Sequence, residues 1–484
     1  MNDPNGLVYH DGTYHLFHQY NPQGNDWGHM SWYHATSPDL VHWTHRGVAL
    51  PEEGNEMIFS GSAVVDHNNT TGFGDGPDAA PMVALYTSHY TEGENAFNQA
   101  QSLAYSVDGG RTWTKYAGNP VLDHDDPEFR DPNVFWHAPT GRWIMAVALS
   151  TQLTVQLYAS ADLKTWTHLS DFGPAGPTAD VLEWECPVLF PVPIEDQDHP
   201  VEDQDRSAWV LQVDVKPGGV AGGSGSQYFV GDFDGTTFTP HDGVLEAAPH
   251  WVDYGPDFYA AIPWSNVPAA DGRALWLGWM HNWDYAEAAP TSPWRGALSL
   301  PRSVTLRERD GQLRLVQAPV DELKQLRTNH VQLETMRLSR ETRSLTDAGV
   351  SGAPLELAAT FAPDTAETMG LHVHEGPHAR TVVGYDAEAG SVFVDRTAAG
   401  HTGLPDAFSA RDAAPLALND GRVTLRVIVD RSSVEVFAND GARVLTHRLF
   451  PPPNHTGVSA FATGGGATLS RLDAWSLASI WAAR

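Results

Sequence analysis

SVDGGRTWT, at residues 106–114, recurs with changes as SPDLVHWTH at 37–45 and as SADLKTWTH at 160–168. A degenerate fourth copy, GDFDGTTFT, occupies residues 231–239. The aromatic residues of the four copies stand roughly 50 to 70 residues apart, which leaves room for several short strands in each repeat. This period is typical of the blades of a β-propeller, and a hairpin that recurs in another kind of all-β protein is the alternative interpretation.

The sequence around these copies consists mainly of short strand signals bounded by turn residues, such as GTYHLFHQY (12–20). The clearest helix pattern is PVDELKQLR (319–327), and beyond it alternating stretches such as RVTLRVIVDRSSVEVFAND (422–440) are typical of an antiparallel sandwich. We therefore predict an all-β chain of three parts. They are a five-bladed β-propeller over residues 1–305, a linker with a short helix over 306–329, and a C-terminal β-sandwich over 330–484, packed firmly together.

The composition excludes several classes of function. The chain has 484 residues, 41% of them hydrophobic, and a formal net charge of -31, which disfavours nucleic acid and anionic membranes as partners. Its single cysteine, Cys186, rules out a disulfide framework within the chain, and no apolar run is long enough for a membrane span. These features suit a protein that meets a neutral substrate.

Three acidic residues stand at the start or end of predicted strands: Asp3 in MNDPNG, Asp131 in EFRDPNVFW and Glu185 in EWECPVLF. The innermost strands of successive blades converge on the axis of a propeller, so these carboxylates can meet in one funnel. Glycoside cleavage requires one ionised carboxylate and one that holds a proton. The apolar neighbours of Glu185 suggest a raised pKa, whereas turn N–H groups favour an ionised Asp3 and the adjacent Arg130 favours an ionised Asp131.

The three acidic motifs, taken in order, resemble the signatures of glycoside hydrolase family 32, the β-fructosidases. Further matches are FSGSAVVD (59–66), YGPDFYAA (254–261) and PTSPWRGALSLPR (290–302), so the resemblance extends over both predicted domains. It implies a five-bladed propeller followed by a β-sandwich. It also implies a retaining mechanism, with no metal or cofactor.

The same resemblance implies a role for each matching residue. Asp3 corresponds to the nucleophile, Glu185 to the general acid/base and Asp131 to a transition-state stabiliser that holds sugar hydroxyls. The expected fructose pocket contains Asn2, Gln19, Trp27, Phe59, Ser60, Arg130, Tyr259 and Trp279. Cys186 is expected to be a buried packing residue beside the acid rather than a nucleophile.

Two positions depart from the family pattern, and a third departure concerns the first residue. Val188 stands where the family has aspartate after Glu-Cys-Pro, and Tyr33 stands where it has glycine. We expect these residues to alter the subsite for the leaving group. The family's tryptophan before Met-Asn-Asp is missing, so we expect the printed chain to begin inside its first motif.

These observations predict an exo-acting fructan hydrolase that releases terminal β-D-fructofuranosyl units from levan or inulin, with sucrose as a further substrate. A fructan biohydrolase, a fructosyltransferase or an invertase remains open within the same class, and a non-catalytic, lectin-like fructan-binding protein remains open in another. The expected partner is a fructan or fructo-oligosaccharide, with no nucleic acid or membrane, and the expected state is a monomer or small homo-oligomer. Secretion is the expected location, with a cytoplasmic location as the alternative.

Overall fold

Strands account for most of the described residues in the computed structural model, which covers 1–76, 79–93, 96–195, 206–245, 248–401 and 403–481. Up to Pro319 they form five antiparallel sets. The first set is β1 (Pro4–His10), β2 (Thr13–Tyr20), β3 (Ser31–Ser37) and β4 (Thr44–Leu50), and the second is β5 (Glu56–Val65), β6 (Met82–Tyr90), β7 (Gln99–Ser106), β8 (Thr114–Lys115) and β9 (Leu122–Asp126). The third set is β10 (Phe129–His137), β11 (Arg142–Leu149), β12 (Thr154–Ser160) and β13 (Thr167–Phe172), and the fourth is β14 (Glu183–Glu195), β15 (Ser207–Lys216), β16 (Gly225–Phe233), β17 (Phe238–Pro240) and β18 (His250–Trp251). The fifth set is β19 (Tyr259–Pro263), β20 (Ala274–Trp279), β21 (Arg302–Arg309) and β22 (Gln312–Pro319).

The first strands of the five sets form a closed ring. β1 contacts β5, β5 contacts β10, β10 contacts β14, β14 contacts β19, and β19 contacts β1. The ring closes between the first and last sets at a parallel bridge between Val8 and Ser265, where Tyr9 N donates to Ser265 O at 3.0 Å. This closed ring is the arrangement that a five-bladed propeller requires. The predicted division after residue 305 falls within β21, which pairs with both β20 and β22.

The repeated stretches form the turns between the third and fourth strands of the first four sets. In each of the three clear copies, the aspartate side chain accepts a hydrogen bond from the N–H three residues later, at 2.9–3.0 Å: His42 for Asp39, Arg111 for Asp108 and Thr165 for Asp162. The tryptophan of each copy donates to the carbonyl three residues earlier: Trp43 to Leu40, Trp113 to Gly110 and Trp166 to Leu163. One local hydrogen-bonded turn is therefore used in successive sheets.

The C-terminal part is a sandwich of two antiparallel sheets. One sheet has the strand order β23 (Arg327–Leu333), β35 (Gly466–Leu477), β26 (Leu355–Ala362), β31 (Val423–Asp430), β32 (Ser433–Ala438) and β33 (Arg443–Arg448), with β24 (Met336–Ser339) also on β35. The other has the order β25 (Thr342–Ser344), β34 (Gly457–Thr463), β27 (Thr368–Glu375), β28 (Thr381–Asp386), β29 (Ser391–Asp395) and β30 (Arg411–Pro415). Alternating side chains of both sheets form one apolar core. The predicted fold class, a β-propeller followed by a β-sandwich, is confirmed.

The helices of the described residues are all short 3₁₀ segments: Ala138–Thr140, Ser150–Gln152, Ala286–Ala288, Asp321–Leu326, Thr346–Ala348 and Asp406–Phe408. The helix predicted over 319–327 is thus present, but it is shorter and tighter than an α-helix. Leu323 and Leu326 are both buried, and a spacing of three residues puts both on one face of a 3₁₀ helix. Over the ranges given above, no helix is long and apolar enough to cross a membrane.

Arg302 joins the two domains through buried charges. Its guanidinium donates to Asp253 of the propeller at 3.0 Å, and to Glu435 and Thr446 of the sandwich at 2.7 Å each. Arg302 has 0% of its side chain exposed and also stacks on Phe258. Because removal of one partner leaves the other charges buried and unpaired, this contact strongly couples the domains.

We therefore expect Arg302→Met to lower the free energy of unfolding by about 3–5 kcal/mol, since Asp253 and Glu435 lose their countercharge. Thermal and denaturant unfolding of the purified protein measures this change. The matched control is Arg343→Met, which breaks a pair with Glu341 whose side chains are 45% and 40% exposed. That pair should contribute less than about 1 kcal/mol, and equal effects of the two substitutions would contradict the bracing role of Arg302.

Candidate active site

The first strand of every propeller set carries a β-bulge near its beginning. The pairing registers shift between Asn5 and Val8, Ile58 and Gly61, Arg130 and Asn133, Glu185 and Val188, and Tyr259 and Ile262. Within three of these bulges, Asp131, Cys186 and Ala260 have positive φ values of 67°, 46° and 53°. A bulge redirects neighbouring side chains, and such backbone strain costs about 1–3 kcal/mol per residue. The packed ring therefore holds these residues in orientations that an isolated strand would not keep.

Asp3 lies immediately before β1 and is held on both carboxylate oxygens. Ser60 Oγ donates to Oδ2 at 2.6 Å, and Asn2 Nδ2 donates to Oδ1 at 3.2 Å. The Asp3 carbonyl accepts from Gln19 N at 2.9 Å, so the adjacent strand fixes the backbone. In the turn that follows, Gly6 has a φ of 54°, and a Cβ there would lie 2.9 Å from both Phe17 and Trp32. The opening motif thus orients Asp3 rigidly.

Asp131 converges with Asp3 on Cys186. The Asp131 Oδ2 atom accepts from Cys186 N at 3.0 Å and lies 3.6 Å from Cys186 Sγ, which is 3.8 Å from Asp3 Oδ2. Burial raises the pKa of the Cys186 thiol, so Sγ–H remains protonated between the two acids. Cys186 is therefore a packing residue and a weak donor, as the sequence suggests, and its backbone N–H is its main contribution.

Glu185 is held by a cation and a phenol. Arg130 Nε donates to Oε1 at 3.1 Å, and the Tyr259 hydroxyl donates to Oε2 at 2.5 Å. Arg130 Nε also lies 4.0 Å from Asp131 Oδ2. The three predicted catalytic carboxylates therefore lie in one cluster, connected by Arg130 and Cys186, in which Asp131 is buried and Asp3 and Glu185 are partly buried.

Arg130 also forms hydrogen bonds with acidic residues that were not among the predicted site residues. Its guanidinium donates to Glu128, and to Glu183 Oε2 at 3.3 Å and Ser150 Oγ at 2.8 Å. The sequence analysis missed Glu128 and Glu183, although a signal was present. Each stands two residues before a selected residue, Arg130 or Glu185, and alternate residues of a strand share one face.

The pKa directions differ from those expected from the sequence. Burial raises the pKa of Asp3 and, against the opposing charge of Arg130, raises that of Asp131 to about 7. Burial alone would also raise the pKa of Glu185, but Arg130, Lys216 and the Tyr259 hydroxyl outweigh it and hold the pKa below its usual range. In the ligand-free site the proton therefore favours Asp131 over Glu185. The sequence interpretation considered Trp184 and Cys186 beside Glu185 but not the cations that the fold brings there.

The predicted pocket residues lie around this cluster. Asn2 and Ser60 contact Asp3, Arg130 and Tyr259 contact Glu185, and Trp279 lies opposite Tyr259 in the pairing of β19 with β20. Gln19 is buried, and its amide donates to Ile58 O at 3.0 Å.

A small cavity at the mouth of the site is lined in part by Asn2, Trp27 and Trp279. Trp27, which is 46% exposed, meets the edge of the Phe59 ring at 5.8 Å between centroids. His281 and Trp283 also line this cavity, and the sequence analysis did not select them as pocket residues.

The two departures from the family pattern lie outside the cavity lining. Val188 is fully buried, beyond the bulge at Glu185, in an apolar core that the first, fourth and fifth sets share with part of the sandwich. Tyr33 packs on His18 and Tyr20, with ring centroids 5.3 and 5.0 Å away. Neither residue lines the cavity at the mouth, and the expectation that they alter the leaving-group subsite stays a prediction.

The structure also bears on metals. Within the described ranges, no group of three or more histidine, cysteine or acidic side chains is arranged to hold a metal ion. The carboxylates of the cluster instead face Arg130, Tyr259 and Ser60.

Comparison with known proteins agrees with this architecture. The family model described as "Glycosyl hydrolases family 32 N-terminal domain" matches residues 1–319, and that described as "Glycosyl hydrolases family 32 C terminal" matches residues 322–476. A levanase of Bacillus subtilis is 46% identical, over 99% of this chain and 69% of its own length. An extracellular exo-inulinase of Aspergillus niger is 39% identical, over 99% of this chain and 93% of its own length. The crystal structure of an exo-inulinase from Aspergillus awamori superposes with a TM-score of 0.91 at 37% identity, over 99% of this chain and 96% of that one.

The raised pKa of Asp131 has a consequence for stability. A carboxyl whose pKa rises from ~3.9 in the unfolded chain to about 7 in the folded protein binds its proton more tightly when folded. Its contribution to the free energy of unfolding is fully present below pH ~3.9 and is lost as the pH rises through about 7. We therefore expect the melting temperature of Asp131→Asn, relative to wild type, to increase between pH ~4 and ~8.

Thermal unfolding across this pH range measures the difference, and Asp108→Asn is the control. Hydrogen bonds from Thr112 and neighbouring donors outweigh burial at Asp108 and lower its pKa to about 2. Its contribution is present above pH ~3.9 and is lost only as the pH falls through about 2, so the control difference should stay flat between pH ~5 and ~8. A flat difference for Asp131→Asn as well would contradict the raised pKa.

Proposed function

This chain belongs to glycosyl hydrolase family 32, and on that premise we propose that it is a retaining, exo-acting hydrolase of fructans. Its substrates are levan or inulin, from which it releases terminal β-D-fructofuranosyl units. The observation that carries the proposal is the largely buried cluster in which Asp3, Asp131 and Glu185 meet around Arg130 and Cys186. Neutral sugars can be bound without such a cluster, because each buried carboxylate costs free energy. The lectin-like alternative leaves that cost unexplained.

The proposed reaction has two steps. Asp3 attacks C2 of the terminal fructosyl unit, a bond forms between its carboxylate oxygen and C2, and the bond from C2 to the leaving oxygen breaks as Glu185 donates its proton. Water then attacks C2, Glu185 takes a proton from it, and Asp3 is released. Two displacements at one carbon retain its configuration. The negative charge of Asp3 and Asp131 stabilises the oxocarbenium character of both transition states.

The general acid must carry a proton before the first step, and the ligand-free site disfavours this. We propose that substrate binding lowers the pKa of Asp131 and raises the pKa of Glu185, so that the proton moves to Glu185. Sugar hydroxyls that donate to Asp131 stabilise its ionised form, and Arg130 lies within 4.0 Å of both acids. Once Asp131 is charged, it competes with Glu185 for this cation, and the pKa of Glu185 rises.

Two observations support the proposals of exo action and of fructan as the substrate. The cavity at the mouth is narrow and lined by Trp27, Trp279 and Trp283, which suits the end of a sugar chain better than its middle. The relatives described above are named as a levanase and as exo-inulinases, and those of Aspergillus are described as extracellular. We propose secretion on the same ground.

Product analysis tests this function directly. The purified chain is incubated with levan, inulin and sucrose, and products are separated by anion-exchange chromatography. We expect free fructose as the first product from levan or inulin, without larger intermediates. Release of disaccharides would indicate a biohydrolase, growth of longer oligosaccharides a transferase, and cleavage of sucrose alone an invertase. Binding to fructan without any product would support the lectin-like alternative.

Substitutions at the cluster test the assigned roles. We expect Glu185→Gln to reduce kcat by about 10²–10⁴-fold, because it cannot protonate the leaving oxygen. Asp3→Asn should reduce kcat at least about 10²-fold, since it removes the nucleophile. Glu195→Gln is a matched control at the far end of the same strand as Glu185, where Glu195 pairs with Arg307. Wild-type turnover in Asp3→Asn or Glu185→Gln would overturn the catalytic assignment.

A further inference from the structure

A cavity of about 210 Å³ lies between the propeller and the sandwich. Its walls come from β18 and β22 on the propeller side and from the start of β33 on the sandwich side. None of its lining residues belongs to the carboxylate cluster or to the cavity at the mouth. It is therefore a separate site, and the proposed hydrolysis does not use it.

His250 lines this cavity and fixes one of its arginines. Only 9% of its surface is exposed, and its Nδ1 accepts a hydrogen bond from Arg314 Nη1 at 2.8 Å. Because a guanidinium can only donate, this contact places the ring proton on Nε2. That Nε2–H is buried and has no hydrogen-bond partner among the described residues. Burial, Arg314 and Arg443 lower the pKa of His250 to about 4, so the ring is a neutral donor at pH 7.

Two arginines line the cavity, Arg314 from the propeller and Arg443 from the sandwich. Arg443 of the sandwich donates to the carbonyls of Pro415 and Ala442 at 3.0 and 2.7 Å. In the described part of the chain, neither it nor Arg314 forms an ion pair with a carboxylate, and no described lining residue is acidic. Uncompensated cations are unexpected in a chain with a net charge of -31.

The hydrogen-bonding character of the cavity distinguishes an anion from a neutral sugar. Its charged side chains are donors, and the side-chain oxygens of Gln317 and Tyr228 already accept hydrogen bonds, although the Tyr254 hydroxyl also lines the cavity. Gln317 Oε1 accepts from Trp276, and the Tyr228 oxygen accepts from Leu315 N. A sugar hydroxyl needs acceptors as well as donors, but an oxyanion needs donors alone.

We propose that this cavity binds a small tetrahedral oxyanion, sulfate or phosphate, between Arg314 and Arg443, with His250 Nδ1 holding the Arg314 guanidinium in place. Planar guanidinium groups recognise such oxyanions through paired N–H groups. Since the two arginines belong to different domains, the bound anion links the propeller to the sandwich. The ligand stabilises the domain interface and takes no part in sugar cleavage.

Isothermal titration calorimetry of the full chain with sodium sulfate and with sodium phosphate tests the proposal, at an ionic strength held constant with sodium chloride. We expect saturable 1:1 binding in the calorimeter and a melting temperature that, above the Kd, keeps rising with the logarithm of the anion concentration, as linkage to a single site requires. Arg314→Gln should weaken binding at least about 10-fold, because it removes one of the two guanidinium groups. Arg314→Lys keeps the charge and should retain part of the affinity.

Arg411→Gln is the matched control, because Arg411 pairs with Asp386 on the surface of the sandwich. It changes the net charge equally and should bind the anion as wild type does. Unchanged hydrolysis of fructan by each variant shows that it is folded. If neither anion gives saturable binding, or if Arg314→Gln and Arg443→Gln both bind as tightly as wild type, the proposed site is wrong. A preference between sulfate and phosphate identifies which anion the cavity fits.

Discussion

The candidate site depends on the buried guanidinium of Arg130. Glu128, Glu183 and Glu185 all accept hydrogen bonds from it, and Asp131 lies 4.0 Å away. Without this cation, carboxylates packed so closely could not all be ionised at neutral pH, and the site would bind further protons. The same cation sets where the remaining proton lies, because it favours the charged form of Glu185 over that of Asp131. Charge balance and acid–base chemistry are thus two effects of one side chain.

The backbone geometry at this cation is costly and is maintained by the surrounding ring. Asp131 and Cys186 adopt positive φ within bulges, and only neighbouring sheets that pack on both sides keep them there. The sandwich contributes through Arg302, and also through Arg396, which pairs with the fully buried Asp257 just before β19. Distant buried contacts therefore support the strain at the site. This is a physical reason for the sandwich to accompany the propeller.

The sequence predicts what local patterns determine. The aspartate turns around Asp39, Asp108 and Asp162 are complete within nine residues, so the repeat and the propeller could be inferred from them. The gathering of Asp3, Asp131 and Glu185 followed from the convergence of inner strands. Their charge states did not follow, because Arg130, Lys216 and Tyr259 reach Glu185 from other strands that are distant in the sequence. The burial of Val188 likewise depends on a bulge that reverses side-chain alternation, and no pattern in the sequence marks that bulge.

The ring of sheets has a seam, since its first and last sets meet without sharing a strand. The main-chain link across it consists of short contacts, among them those of Tyr9 and Leu7 with Ser265. Asp3 and Tyr259 stand on opposite sides of this seam, at the beginnings of β1 and β19. A small separation of the two sets would move the nucleophile away from the phenol that holds Glu185 while every sheet remained intact. Such a separation would disturb the site locally and would not require the loss of any secondary structure.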